Sequence, residues 1–168
     1  MRWYVLRSKP NREEALWLEV DARGFQSFYP HMRVQPANPR SRKSRAYFPG
    51  YIFVRAQLAA VGQSIFTWLP YSQGLVSFDG EPAEVPEGLV QAIRRRVEEI
   101  EAAGGEQWAG LEPGDLVMIQ AGPFAGYKAV FDARVAGNER ARVLLKLLQV
   151  QQMKLELPVG QIQRVTVH

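Results

Sequence analysis

Few residues in this sequence are equipped to move protons, attack a bond or hold a metal. The chain has two histidines and no cysteine, so thiolate nucleophiles, thiolate zinc sites and disulfides are excluded. His31 follows Pro30 in a strand-like segment and His168 is the last residue, and neither stands at a ligand spacing from another metal donor. The adjacent acids Glu13-Glu14 and Glu98-Glu99 fall on wet faces of predicted helices, whereas two carboxylates that share a reaction must flank one bond. Glycines 122 and 126 in "GPFAGYKA" suggest a phosphate loop. The Gly-Lys-Ser/Thr ending that would put lysine on phosphate and a hydroxyl on magnesium is missing, and a turn between strands accounts for them. No catalysis, metal or cofactor is expected.

Binding chemistry is better represented. "PRSRKSR", residues 39–45, places Arg40, Arg42, Lys43 and Arg45 close together, broken only by serines. On an exposed loop such a cluster suits contact with phosphates. The net charge of +4 and a pI near 9.6 permit an anionic partner without requiring one. Just beyond lies "YFPGYIFVR", residues 47–55, a strand interrupted by Pro49-Gly50. Successive side chains of a strand alternate, so Ile52 and Val54 point one way and Tyr51, Phe53 and Arg55 the other. A strand apolar on both faces is either covered twice within its own domain or keeps one face for a partner.

The elements that must position these groups alternate through the first hundred residues. "RWYVLR" reads as a central strand and "PNREEALWLEVDARG" as a helix with an apolar stripe of Ala15, Leu16, Leu18, Val20 and Ala22. "FQSFYPHMRVQ" and "AYFPGYIFVRA" form a long hairpin with the basic cluster at its tip. "LAAVGQSIFTWL" is a second helix, weakened by Gly62, and "GLVSF" another short strand. In "PEGLVQAIRRRVEEIEAAGG" the apolar Leu89, Ile93, Val97 and Ile100 recur at helical spacing. Gly104-Gly105 ends that helix and opens a tether with a root-mean-square reach of roughly 15 to 18 Å. The rest of the chain has glycines at 114, 122, 126 and 137 between short apolar runs, the pattern of a small barrel. The expected class is therefore α+β. Residues 1–103 make an N-terminal α/β sandwich with a mainly antiparallel four-stranded sheet and three helices, 104–111 a linker, and 112–168 an SH3-like five-stranded β-barrel. No apolar run approaches the roughly 18 residues of a membrane span, and no signal peptide is apparent; a cytoplasmic monomer is expected.

Residues 138–157, "NERARVLLKLLQVQQMKLEL", leave a second possibility open. Met153, Leu155 and Leu157 alternate as in a strand, whereas Val143, Leu147 and Val150, or Leu144, Leu148 and Leu155, line up at near-helical spacing, and no glycine or proline intervenes. The barrel is the favoured expectation, and a helical state docked on the aromatic strand is the alternative.

With its two parts side by side, the sequence resembles the NusG family of transcription elongation factors. The resemblance rests on "RWYVLRSKPNREEAL", "YFPGYIFVR", "LPYSQGLVSF", "PGDLVMIQAGPFAGYKAVF" and "RVLLKLL". It implies a factor whose first domain grips the clamp helices of the largest catalytic subunit of RNA polymerase in an apolar concavity. By motif position the contacts would be Phe48, Tyr51 and Phe53, with Trp3 and Tyr4 as the strand-one aromatics. Arg40, Arg42, Lys43 and Arg45 would meet upstream or non-template DNA near the transcription bubble. Ser64 and Thr67 fall where relatives touch the gate loop across the cleft. Gly122, Phe124, Gly126 and Tyr127 match the KOW motif of the barrel, which in the family recruits the termination factor Rho or a ribosomal small-subunit protein. Such a factor promotes processive, pause-resistant elongation and antitermination. Ala129 and Gln149-Val150 depart from the common pattern toward the specialised RfaH-type branch, which puts Rho binding in doubt. In that branch the second domain folds as a helical hairpin over the polymerase site. The competing reading, a KOW-type RNA-binding or ribosome-associated protein, leaves the aromatic strand without a role.

Overall fold

The computed structural model describes residues 1–33, 44–105, 117–118, 128–129 and 137–156. The first strand, β1 (Arg2–Ser8), buries four consecutive apolar residues, Trp3 to Leu6. Because neighbours on a strand face opposite ways, such a run must be covered on both sides. Helix α1 (Glu13–Ala22) buries Leu16 and Val20, and β2 (Gln26–Phe28) and β3 (His31–Arg33) follow on either side of Pro30. The chain returns through β4 (Ser44–Ala46) and β5 (Tyr51–Ala56). Next come the short helices α2 (Leu58–Val61) and α3 (Ser64–Thr67), then β6 (Ser72–Leu75), β7 (Ser77–Phe78), β8 (Glu81–Pro82) and β9 (Glu84–Val85). Helix α4 (Glu87–Ala102) buries Leu89, Val90, Ile93, Val97 and Ile100, the periodic stripe expected of it. The remaining described elements are β10 (Val117–Met118), β11 (Lys128–Ala129) and helix α5 (Gly137–Glu156).

The main sheet runs β2-β5-β1-β6, with β9 also paired to β1. All its pairings are antiparallel, with Val5 opposite Phe53 and Phe28 opposite Phe53. It has five strands where four were expected, because the two-residue β9 is too short to show an alternation in sequence. The single helix expected across "LAAVGQSIFTWL" is divided into α2 and α3 at Gly62. The long hairpin is present at both described ends, β2 against β5 and β3 against β4.

The sheet is covered on both faces. Tyr4, Leu6, Ile52 and Val54 pack with Leu16 and Val20 of α1, Phe66 of α3 and Leu69. Trp3, Val5 and Phe53 pack on the other side with Met32, Tyr47, Phe48, the stripe of α4, and Leu144 and Leu148 of α5. Ile52 and Val54 thus part from Tyr51 and Phe53 as the alternation requires.

The interruption at Pro49-Gly50 is a fixed turn. Gly50 takes φ +87°, a region open to glycine and strained for other residues. The buried Glu13 carboxylate accepts the Gly50 N–H at 2.7 Å. Ser8 N–H donates to the Gly50 carbonyl at 2.8 Å, and Tyr51 N–H to the Phe48 carbonyl at 3.1 Å. A hydrogen bond to a charged group contributes about 1.5–3 kcal/mol, so Glu13→Ala is expected to lower the unfolding free energy by about that amount in urea titration. A loss below about 0.5 kcal/mol would mean that the turn holds without the carboxylate.

Residues 137–156 correct the favoured expectation for the C-terminal part: they form a helix and not barrel strands. The described strands there are the pair β10–β11, with Val117 opposite Ala129 and Met118 opposite Lys128. The helix is selected because Arg140, Ala141, Leu144 and Leu148 lie on one face and are all buried, a pattern with helical period that finds an apolar surface to meet. Gly122, Phe124, Gly126 and Tyr127, and the linker beyond Gly105, lie outside the described residues. No helix among the described residues is long and apolar enough to cross a membrane.

Candidate functional site

The aromatic face is built from β5 and the connection that precedes it. Tyr47 is anchored by its N–H to the Pro30 carbonyl at 2.9 Å. Its ring meets Phe48 edge-on at 4.8 Å between centroids; Phe48 meets Phe53 at 6.0 Å, and Phe53 stacks on Phe28 at 5.9 Å. Such offset and edge-to-face geometries are the favourable ones for aromatic pairs. The Arg94 guanidinium lies 4.4 Å from the Phe28 ring centre, a cation–π contact. Trp3 closes the far end, donating its indole N–H to Glu87 at 2.7 Å. Hydrogen bonds from the Gln91 amide and then from Trp3 hold the Glu87 carboxyl below its ordinary pKa, against an opposing effect of burial. Tyr51 is half-buried on this face, whereas Phe48 and Phe53 are wholly enclosed.

What encloses them includes α5. Leu144 and Leu148 join the cluster that contains Phe48 and Phe53. One turn before Leu144, Arg140 is 1% exposed; its Nε donates to the Tyr47 carbonyl at 2.8 Å and its guanidinium sits 4.4 Å from the Tyr47 ring centre. Gly137 rests against Pro49. Toward the other end of α5, Gln151 edges an open groove with Arg2, Trp3, Arg55 and Glu87. In chemical terms the face is an apolar groove with aromatic walls, holding an amphipathic helix.

Trp3 shares this face with Phe48, Tyr51 and Phe53, but Tyr4 does not. It points to the opposite side of the sheet, under α1 and α3, where burial, first, and then the nearby Glu84 carboxylate raise its phenol pKa. Ser64 and Thr67 lie exposed on α3. Arg45 lies exposed on β4, opposite Met32 of β3, while Arg40, Arg42 and Lys43 are outside the described residues. Trp68, next to Thr67, is 84% exposed, and sequence reasoning passed over it as part of a helix. Glu13, expected beside Glu14 on a wet helix face, is buried against the Pro49-Gly50 turn; Gly137, expected between barrel strands, opens α5; and Arg140 went unread, because a buried arginine that acts on a distant partner carries no local signal. No cluster of three or more metal-ligating side chains occurs among the described residues.

The base of the basic hairpin is clasped to the end of α4. Glu101 accepts hydrogen bonds from the Arg33 backbone N–H and from its Nε, the latter at 2.7 Å. The backbone bond first, and the side chain after it, lower the Glu101 pKa from the ordinary 4.5. A carboxylate depressed in the folded state stabilises it above the unfolded pKa, and that contribution disappears as pH falls through the folded value. Glu101→Gln is therefore expected to be less stable than the parent at neutral pH, with the difference closing as pH drops below the ordinary glutamate range. Thermal melts of both proteins across that interval check the sign, and a gap that widens at low pH would contradict it.

The family model for NusG, described as transcription termination factor nusG, matches residues 1–94. The chain belongs to the NusG family. It is a NusG-like transcription factor, as the sequence resemblance implied. The transcription termination/antitermination protein NusG of Pseudomonas aeruginosa is 26% identical over 180 residues, covering 98% of this chain and 98% of its own. NusG of Vibrio vulnificus is 22% identical over 176 residues, covering 98% and 96%. A solved structure titled "Domain interaction in Thermotoga maritima NusG" is 26% identical, with a TM-score of 0.43 over 76% of each chain.

Proposed function

We propose that this factor binds RNA polymerase through the face of Trp3, Phe48, Tyr51 and Phe53, taking the clamp helices of the largest catalytic subunit into the groove that α5 fills here. One observation carries the reading: the groove already holds a helix, presented through Leu144 and Leu148. Helix-in-groove recognition uses such spaced apolar anchors against an aromatic wall. Helix α5 and the clamp helices then compete for one surface, so the described state is the closed one, and polymerase binds the protein with α5 released. The released C-terminal part, residues 112–168, is the barrel that engages a ribosomal small-subunit protein or Rho. Ser64, Thr67 and the exposed Trp68 face the gate loop on the other side of the cleft. A factor that bridges both sides favours the closed, processive enzyme because it binds that state better.

The test compares full-length protein with residues 1–105 for binding to core RNA polymerase. Truncation is expected to raise affinity at least about tenfold, since a masked site binds in proportion to its open fraction. Equal and weak binding by both, with the truncated domain folded, would end the reading. For the hairpin tip, changing Arg40, Arg42, Lys43 and Arg45 to glutamine is expected to lower affinity for an elongation complex and flatten its dependence on salt. Thermal stability should change by less than about 0.5 kcal/mol. An unchanged salt slope would remove DNA phosphate as the ligand of this loop.

A further inference from the structure

We propose that Gly137 is the residue that determines whether α5 can close on the aromatic face, because Pro49 leaves room there for a hydrogen and nothing larger. The inference rests on the masking of the polymerase face by α5 and assigns its specificity to one contact. A Cβ placed on Gly137 would lie 2.7 Å from Cγ and 2.9 Å from Cδ of Pro49. Gly137 does not adopt the left-handed backbone that the glycines of the turns adopt. Its glycine character is therefore needed for close approach and not for conformation. Pro49 cannot give way: its ring is closed on its own backbone, and its turn is held by Glu13, Ser8 and the Tyr51–Phe48 hydrogen bond. The helix has to yield instead. Restoring ordinary contact requires a shift of about 1 Å, and a gap of that size forfeits up to about half of each dispersion contact behind it. The shift falls at the first residue of α5. It strains the 2.8 Å bond from Arg140 to the Tyr47 carbonyl one turn later and loosens the packing of Leu144 beyond it.

The preference of alanine over glycine belongs to helix interiors, and Gly137 is the first residue of α5, so the effect of a new methyl there is attributed to Pro49 by the double variant below. The experiment uses the full chain and hydrogen exchange of the backbone amides of residues 140–150, with the amides of β1 and β5 as the check on the fold. Gly137→Ala is expected to speed exchange in α5 at least about tenfold while β1 and β5 stay protected, and Gly137→Leu more. Pro49→Ala removes the ring atoms that the new methyl meets, so the double variant Gly137→Ala/Pro49→Ala should return to within about threefold of the parent. Exchange in Gly137→Ala that is equal to or slower than the parent's overturns the proposal, as does a double variant that stays open although its β1 and β5 remain protected. If Pro49→Ala unsettles β1 or β5, the order of Gly137, Ala and Leu decides. Leu144→Asp separates the two levels. If it opens α5 and Gly137→Ala does not, masking stands and the role of Gly137 falls; if Leu144→Asp leaves α5 protected, the docking itself is wrong.

Discussion

Replacing Leu144 with aspartate is expected to raise the affinity of the full-length chain for core RNA polymerase by at least about tenfold. Leu144 has no exposed surface and packs in the cluster that contains Phe48 and Phe53. Truncating a buried leucine to alanine costs about 2–5 kcal/mol, and a carboxylate in its place adds the cost of burying a charge. That loss weakens the docking of α5 and leaves the polymerase face itself intact, because Leu144 is no part of that face. A destabilisation of this size converts a predominantly closed population into an open one, and the gain in affinity is capped by the closed-to-open ratio of the parent. The direction is unusual, since a disruptive substitution improves binding. Fluorescence-detected binding to core enzyme, alongside the loss of helix at 222 nm, checks it. Loss of helix with unchanged affinity would show that α5 docks without regulating anything.

Phe53→Ala and Tyr51→Ala are expected to act at different levels, although they are two residues apart on one face. Phe53 is completely buried, stacks on Phe28, meets Phe48 edge-on and lies opposite Val5 in the sheet. Its truncation should remove about 3–5 kcal/mol of stability, a large part of the roughly 5–15 kcal/mol typical of a whole domain. Weaker polymerase binding by that variant would therefore report on the fold. Tyr51 is half-buried and anchors no comparable set of rings. In the Leu144→Asp background, where the face is open, Tyr51→Ala should weaken polymerase binding by about 2 kcal/mol or more, with a urea midpoint close to that of its parent. Undiminished binding by that double variant would move the polymerase site off this face.

Several features of the fold could be read directly from residue order because the physics that makes them is local. The stripe of α4 repeats at helical period within one segment, and β5 shows its two-sidedness through the alternation of Ile52 and Val54 with Tyr51 and Phe53. The hairpin that carries Arg45 follows from two strand-like runs around a polar, basic loop. In each case the residues that reveal an element are the ones that form it. Other features depend on groups far apart in sequence. That Tyr4 belongs to the α1 side, and Trp3 to the aromatic face, follows from where β1 sits between β5, β6 and β9. That Glu13 shapes the Pro49-Gly50 turn requires α1 and β5 to be already in place.

Helix α5 is the clearest division between the two. Residues 138–157 carry leucines and valines at spacings that serve a strand or a helix, with no glycine or proline to exclude either, so local preference is nearly balanced. Tertiary contacts break such a balance easily. Arg140 finds the Tyr47 carbonyl 93 positions away, and Leu144 and Leu148 find rings from β5 and the segment before it. None of those partners is adjacent to α5 until the sheet has formed. The sequence makes the helix available; the aromatic face, which exists only once β1 and β5 are paired, selects it by burying one continuous helical side, where a strand would turn Ala141, Leu145 and Leu147 away from Arg140, Leu144 and Leu148.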